Sequence, residues 1–200
     1  MSDDYKELKR QELLEKCFDL FVQKGLENTS LNELVAFCKM HKVTFYNYIS
    51  SKDEIVIESA KQYMEKVDRM FFKIFENPLP SLKEALQHGF EMIATEKNKF
   101  KIIYQIISSP KYGEKSRYEL TQVYMKYMDY SKELARIYNV DHAEFRPYFL
   151  LYIATIHDFC LWENTEMVKE KLNCIYSKID DLKYKEAVWF SKDKTLNIQN

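Results

Sequence analysis

Residues 13–55 read LLEKCFDLFVQKGLENTSLNELVAFCKMHKVTFYNYISSKDEI, and the spacing of apolar and capping residues along this stretch decides the fold. Over residues 6–24, Leu14, Cys17, Phe18, Phe21 and Val22 recur at helical intervals and form one stripe. Gly25 follows as a C-terminal stop. Ser30 with Glu33 three residues later predicts a capping box opening a short helix, whose inner face is Leu31, Leu34, Val35 and Cys38. A break around 39–41 precedes a compact segment at 42–49. Ser51 and Glu54 repeat the capping pattern and open a long helix from 52 to about 76, with Tyr63, Val67, Met70, Phe71 and Ile74 on its inner stripe. Three short helices followed by a long one make the layout of a helix-turn-helix head.

The rest of the chain extends the same theme. Among 200 residues there are only 3 Gly and 4 Pro, too few for the frequent turns of a sheet protein, so the expected class is all-α. Further helices are expected at 81–95, where Ser81 and Glu84 again form a cap, and at 99–108, 112 to about 138, 141–162 and 165–181, about nine in all. The organisation expected is a head at 1–55 joined by the long helix to a bundle at 56–200, with a mobile polar tail at 191–200. The net charge of −1 excludes a globally basic nucleic-acid coat protein but allows a local basic patch. Cys17, Cys38, Cys160 and Cys174 have neither C-x-x-C nor metal-ligand spacing and read as helix-face thiols of a reducing cytosol. No metal site or cofactor is expected. The start MSDDYKELKRQ lacks the apolar core of a secretory signal, and no run is apolar enough for a bilayer, so a cytoplasmic location without membrane contact is expected. No Ser/His/Asp order, metal spacing or phosphate-cradling glycine loop suits catalysis, and the chain is not expected to be an enzyme.

The 13–55 stretch resembles the N-terminal domain of the TetR/AcrR family of bacterial regulators. The resemblance is carried by the first stripe ending in Leu20–Phe21, by Lys24–Gly25 and Thr29–Ser30, and above all by Thr44-Phe45-Tyr46-Asn47-Tyr48-Ile49 before Ser51-Lys52-Asp53. The family pattern there is T-L-Y-x-Y-F-x-S-K-E. Beyond residue 55 the resemblance is one of helix number and length alone. It implies that the segment from Lys42 is a DNA recognition helix. The residues agree. Phe45 and Ile49 can pack beside Leu34 and Phe18, leaving Lys42, Thr44, Tyr46, Asn47 and Tyr48 for phosphates or base edges, with Lys42 and Val43 deepest in the major groove. By resemblance, Lys52 grips a phosphate; Asn32 is expected at the groove edge. Residues 1–55 carry 8 basic and 10 acidic side chains, a net −2, yet 39–52 holds Lys39, Lys42 and Lys52 and no acid. The chain departs from the family in three places. Lys39 stands where the turn glycine is usual, which predicts a left-handed residue with a Cβ at a cost of roughly 1 kcal/mol. His41 replaces a Ser cap, and Val43 replaces a common Gly.

The resemblance further implies that the later helices dimerise and enclose an effector pocket. Tyr104, Tyr124, Tyr127, Met128, Phe149 and Tyr152 can line an apolar cavity with hydroxyls for orientation, although aromatic stripes at this spacing also read as plain core. His157 lies on an apolar stripe and reads either as a pocket residue or as a core or interface histidine. The helices at 141–162 and 165–181 are the expected homodimer surface. The expected function is a dimeric, ligand-released repressor that reads a near-palindromic operator in double-stranded DNA, its effector a small apolar or aromatic molecule. A helical adaptor or DNA-organising protein on the same fold, without the small-molecule switch, is the alternative.

Overall fold

The computed structural model describes residues 3–112, 128–162 and 164–182. Helix α1 (Asp3–Lys24) starts three residues before the apolar stripe requires it and stops at Gly25, whose φ of 87° takes the chain out of the helix. Thr29 closes the following loop by donating its hydroxyl to the Gly25 carbonyl at 2.7 Å. Helix α2 (Leu31–Phe37) carries the expected box: Ser30 Oγ accepts from the Glu33 N–H, and the Glu33 carboxylate takes the Ser30 N–H. Helix α3 (Lys42–Tyr46) is short, and α4 (Lys52–Glu76) runs 25 residues, about 37 Å at the α-helical rise.

The cap of α4 departs from the sequence pattern. Ser51 Oγ accepts from the Glu54 N–H as expected, but the Glu54 carboxylate turns to the N–H and hydroxyl of Ser50 instead of closing the box on Ser51. Arg10 of α1 draws the other carboxylate oxygen of Glu54 to 3.0 Å, so a tertiary contact has reoriented a local one.

Helix α5 (Leu82–Thr95) is capped by Ser81, and α6 (Lys97–Ser108) follows after one non-helical residue. Of the helix expected over 112–138, the described part at 128–137 is helical and is called α7. Asp141 Oδ1 accepts from the N–H groups of Ala143 and Glu144 to open α8 (His142–Trp162), and Asn164 caps α9 (Thr165–Asp180). The tail at 191–200 lies outside the described residues. All regular elements among the described residues are helices, and none of them is long and apolar enough to cross a membrane.

One apolar core runs from the head into the bundle. Phe18 of α1 stacks on Tyr63 of α4 with ring centroids 5.0 Å apart, and Tyr63 meets Phe100 of α6 edge-on at 5.8 Å. The struts around this seam are polar: Arg10 of α1 also approaches Glu58 at 3.9 Å, and Gln62 donates to the Gln11 carbonyl at 3.1 Å. α4 therefore belongs to both parts, its first turns packed on α1 and its later turns facing α5, α6 and α7. Helices α8 and α9 pack on one another, with Lys171 and Asp158 joined across them, and α9 buries Val168, Leu172, Ile175 and Ile179.

Candidate nucleic-acid interface and effector cavity

The turn between α2 and α3 is built on a left-handed residue. Cys38 ends α2, and Lys39 follows at φ 54°. The Lys39 N–H donates to the Ala36 carbonyl at 3.0 Å and the Met40 N–H to the Val35 carbonyl at 3.3 Å, which together make a Schellman motif. Met40, packed against the core, supplies its apolar contact. Lys39 thus bears a conformation suited to glycine because two hydrogen bonds and the half-buried Met40 hold it there. His41 precedes α3 without capping it through its side chain.

α3 is divided as a groove-reading helix must be. Phe45 and, just past its end, Ile49 are buried in the same core that holds Leu34 and Phe18. Lys42, Val43, Thr44, Tyr46 and Asn47 face solvent, with Val43 78% exposed. Tyr48 is half-buried against the core, and Asn32 is exposed on α2. Lys52 is half-buried, its Nζ donating to the Leu26 carbonyl at 2.7 Å, which ties the start of α4 to the α1–α2 loop. An ammonium has three donors, so this bond leaves two for another acceptor. At the rim, Lys24 pairs with Glu33, and this partner, followed by the Ser30 N–H and hydroxyl, pulls the Glu33 carboxyl down to about 2.

The sequence gives no sign of the contacts that fix this head against the bundle. Lys111, in the turn after α6, reaches Asp53 in the first turn of α4 at 2.8 Å. Arg10–Glu54 and Gln62–Gln11 span comparable sequence distances, and helical periodicity carries no information on such pairs.

In the bundle, α4, α5, α6, α7 and α8 meet around an apolar cavity of about 40 Å3. Three of the residues expected there, Tyr104, Phe149 and Tyr152, line it. His157 does not; its ring sits edge-on to Tyr104 with centroids 4.8 Å apart, half-buried at the outer side. Met128 is not in the lining, and Tyr124 and Tyr127 lie outside the described residues. The sequence does not assign α4 to the cavity: Phe71 and Ile74 read as an inner stripe and Phe75 lies off it, yet all three line the wall.

Two hydroxyls of the cavity wall, those of Tyr152 and Tyr130, are engaged by protein groups. Tyr152 donates its hydroxyl to the Leu86 carbonyl at 2.7 Å, and burial pushes this phenol well above its ordinary range. Tyr130 donates to the buried Asp68 carboxylate at 2.6 Å. Gly89 lets α5 approach α8: a Cβ there would stand 3.1 Å from the Tyr152 hydroxyl and 3.4 Å from Phe71. The space is enough for one or a few waters, well below the ~300 Å3 or more of an occupied ligand site. The seam is closed.

Comparisons with known proteins bear on the head and on the fold separately. Residues 13–58 match the family described as bacterial regulatory proteins, tetR family. Over 93 residues the chain is 28% identical to the uncharacterized HTH-type transcriptional regulator YuxN of Bacillus subtilis, a match covering 45% of this chain and 32% of that one. The alignment thus spans about a third of that relative's length. Among solved structures, a TetR-family transcriptional regulator from Cytophaga hutchinsonii superposes with a TM-score of 0.71 at 14% identity, over 93% of this chain and 99% of that one. NemR of E. coli gives 0.65 at 13% identity, over 88% and 98%. The regulator FadR of Bacillus subtilis, in complex with stearoyl-CoA, gives 0.58 at 15% identity, over 84% and 94%. The head therefore matches the tetR family over residues 13–58, and the chain shares the fold of these solved regulators along most of their length.

Proposed function

We propose that this chain is a DNA-binding transcriptional regulator that acts as a homodimer on a near-palindromic operator and is released from it by a small apolar effector. The observation that carries the reading is the division of α3, with Phe45 and Ile49 sealed into the head while Lys42, Val43, Thr44, Tyr46 and Asn47 project outward together. Such a helix presents hydroxyl, amide and ammonium donors and one apolar surface, the set that reads base edges and thymine methyls. Lys52, Tyr48 and Asn32 flank it as phosphate and groove-edge contacts. The head as a whole is slightly acidic, so the electrostatic attraction comes from the 39–52 stretch and not from the overall charge.

Dimerisation through α8 and α9 is supported by the face that α8 leaves uncovered. Leu150, Leu151 and Trp162 are 43%, 39% and 72% exposed on a helix that is apolar nearly all round. A helix of this kind is normally covered. Two-fold pairing there gives two heads for two half-sites.

The effector class follows from the cavity. Its lining is aromatic and aliphatic, and the Tyr152 and Tyr130 hydroxyls are bonded to protein, so the occupant is an apolar chain or ring that wedges the walls apart. The stearoyl-CoA held by the fold neighbour FadR supports a ligand with a long apolar part. Phe100 stands both in the cavity wall and against Tyr63, which stacks on Phe18 of the head. Opening the seam displaces this aromatic row and so changes the spacing of the two heads, lowering affinity for the operator by population shift.

The test is selection of bound duplexes from a random DNA pool by the purified protein at low and moderate salt. Enrichment of an inverted repeat, with affinity falling steeply as salt rises, is the expected result. A folded dimer that enriches nothing at low salt would move the weight to a helical adaptor.

A further inference from the structure

Cys17, on the buried face of α1, and Cys38, which ends α2, have their sulfurs 3.7 Å apart, and both thiols are free. No other pair of cysteines among the described residues is brought together in this way. We propose that Cys17 and Cys38 are a paired oxidation site, joined by a peroxide-class oxidant into a reversible disulfide that shifts the recognition turn and weakens DNA binding. The consequence for DNA rests on the function proposed above; the chemistry does not.

The geometry favours this pair. A disulfide needs sulfurs about 2.05 Å apart, so two atoms already in van der Waals contact must close by about 1.7 Å. The thiols are unequal. Cys38 is 6% exposed at the end of its helix, whereas Cys17 is closed off from solvent. Cys38 is therefore the thiol that a small oxidant reaches first.

In the first step its thiolate attacks one peroxide oxygen; the S–O bond forms, the O–O bond breaks, and the leaving hydroxide takes a proton to become water. In the second step the Cys17 sulfur attacks the Cys38 sulfenic acid; the S–S bond forms, the S–O bond breaks, and the departing hydroxide leaves as water with the Cys17 proton. Two thiols and one peroxide give one disulfide and two waters.

The position of Cys38 links this bond to α3. Its neighbour Lys39 holds the left-handed turn, and the Lys39 and Met40 N–H groups are tied to the Ala36 and Val35 carbonyls of the same helix end. Pulling Cys38 toward α1 moves that end and the turn as one piece, and α3 begins only two residues after Met40.

The test uses the full chain carrying Cys160→Ala and Cys174→Ala, so that only this pair remains. After hydrogen peroxide and alkylation, mass spectrometry of an unreduced digest should find the Cys17 and Cys38 peptides linked, and dithiothreitol should release them. Amide hydrogen exchange over residues 39–46 should quicken on oxidation. Affinity for the duplex enriched in the selection should fall at least tenfold, with Cys38→Ala abolishing the response. If both thiols remain alkylatable under peroxide that oxidises Cys174 in the unsubstituted chain, the site is refuted. If the linked peptides form while exchange and affinity stay unchanged, the switch is refuted. The peptide and exchange measurements need no DNA, so they decide the proposal even if the selection enriches nothing.

Discussion

In the head, Phe21, Phe45 and Ile49 are enclosed on all sides, and the polar residues of α3 stand outside them. In the bundle, Phe71, Tyr104 and Ile153 are only half-buried along a closed seam of about 40 Å3, and α8 turns Leu150, Leu151 and Trp162 to solvent. The two regions use similar residues to opposite ends. A fully packed head holds five outward side chains in one arrangement, as reading a groove requires. A bundle whose seam mixes buried aromatics such as Phe100 and Phe149 with half-buried ones such as Phe71 and Tyr104 can open without losing its helices, as binding a variable ligand requires.

The contrast is most exposed to a pair of truncations. Phe45→Ala should destabilise the chain by about 3–5 kcal/mol, because nothing can collapse into the space it leaves. Phe149→Ala should cost less in urea unfolding, because the half-buried walls at Phe71, Tyr104 and Ile153 can move into the space it leaves. Equal losses would remove the distinction between the regions.

A smaller effect is expected at Gly89. Alanine gains about 1 kcal/mol of helix propensity, but its Cβ meets a Tyr152 hydroxyl that is held in place by the Leu86 carbonyl. The net result of Gly89→Ala should be a loss of about 1–2 kcal/mol, recovered in thermal unfolding when Tyr152→Phe is added. Failure of the second change to recover stability would show that α5 and α8 are not pinned at that point.

The two left-handed turns sharpen the comparison further. Asn139 in the bundle, at φ 52°, repeats the arrangement of Lys39 in the head, with the Val140 N–H bonded to the Ala135 carbonyl at 3.0 Å. Lysine is the poorer residue for this conformation, so Lys39→Gly should stabilise by about 1 kcal/mol and Asn139→Gly by less. The same Lys39→Gly change should flatten the salt dependence of DNA binding if that ammonium faces a phosphate.

The smallest effect is one of pH. The folded-state pKa of Glu33 is depressed to about 2, chiefly by Lys24 and then by Ser30, so its contribution is present above the ordinary carboxylate range and is lost as pH falls toward 2. Glu33→Gln should abolish that part of the acid dependence of unfolding and leave neutral-pH stability nearly unchanged, since the pair is exposed.

The head was legible because its signals are local. Ser30 and Glu33 close a box and Gly25 ends a helix, while the left-handed turn at Lys39 was implied by the resemblance, in which a glycine stands there. Where tertiary contact competes, the pattern fails: Arg10 draws Glu54 away from the box that its position predicts. The cavity was only partly legible. Tyr104, Phe149 and Tyr152 line it, yet the share of α4 escaped notice and Met128 stands outside, because an apolar stripe gives the face of a helix and not the helix that covers it.

The sequence by itself determined an all-helical chain, the place and capping of its head helices, and which side of α3 is buried, since propensity, caps and periodicity act within a few residues of each other. Only the tertiary structure decided that the bundle seam is closed, that Phe100, Tyr63 and Phe18 form one row, and that Cys17 meets Cys38. Those contacts join residues on different helices, and their distances are set by how the helices pack as solids.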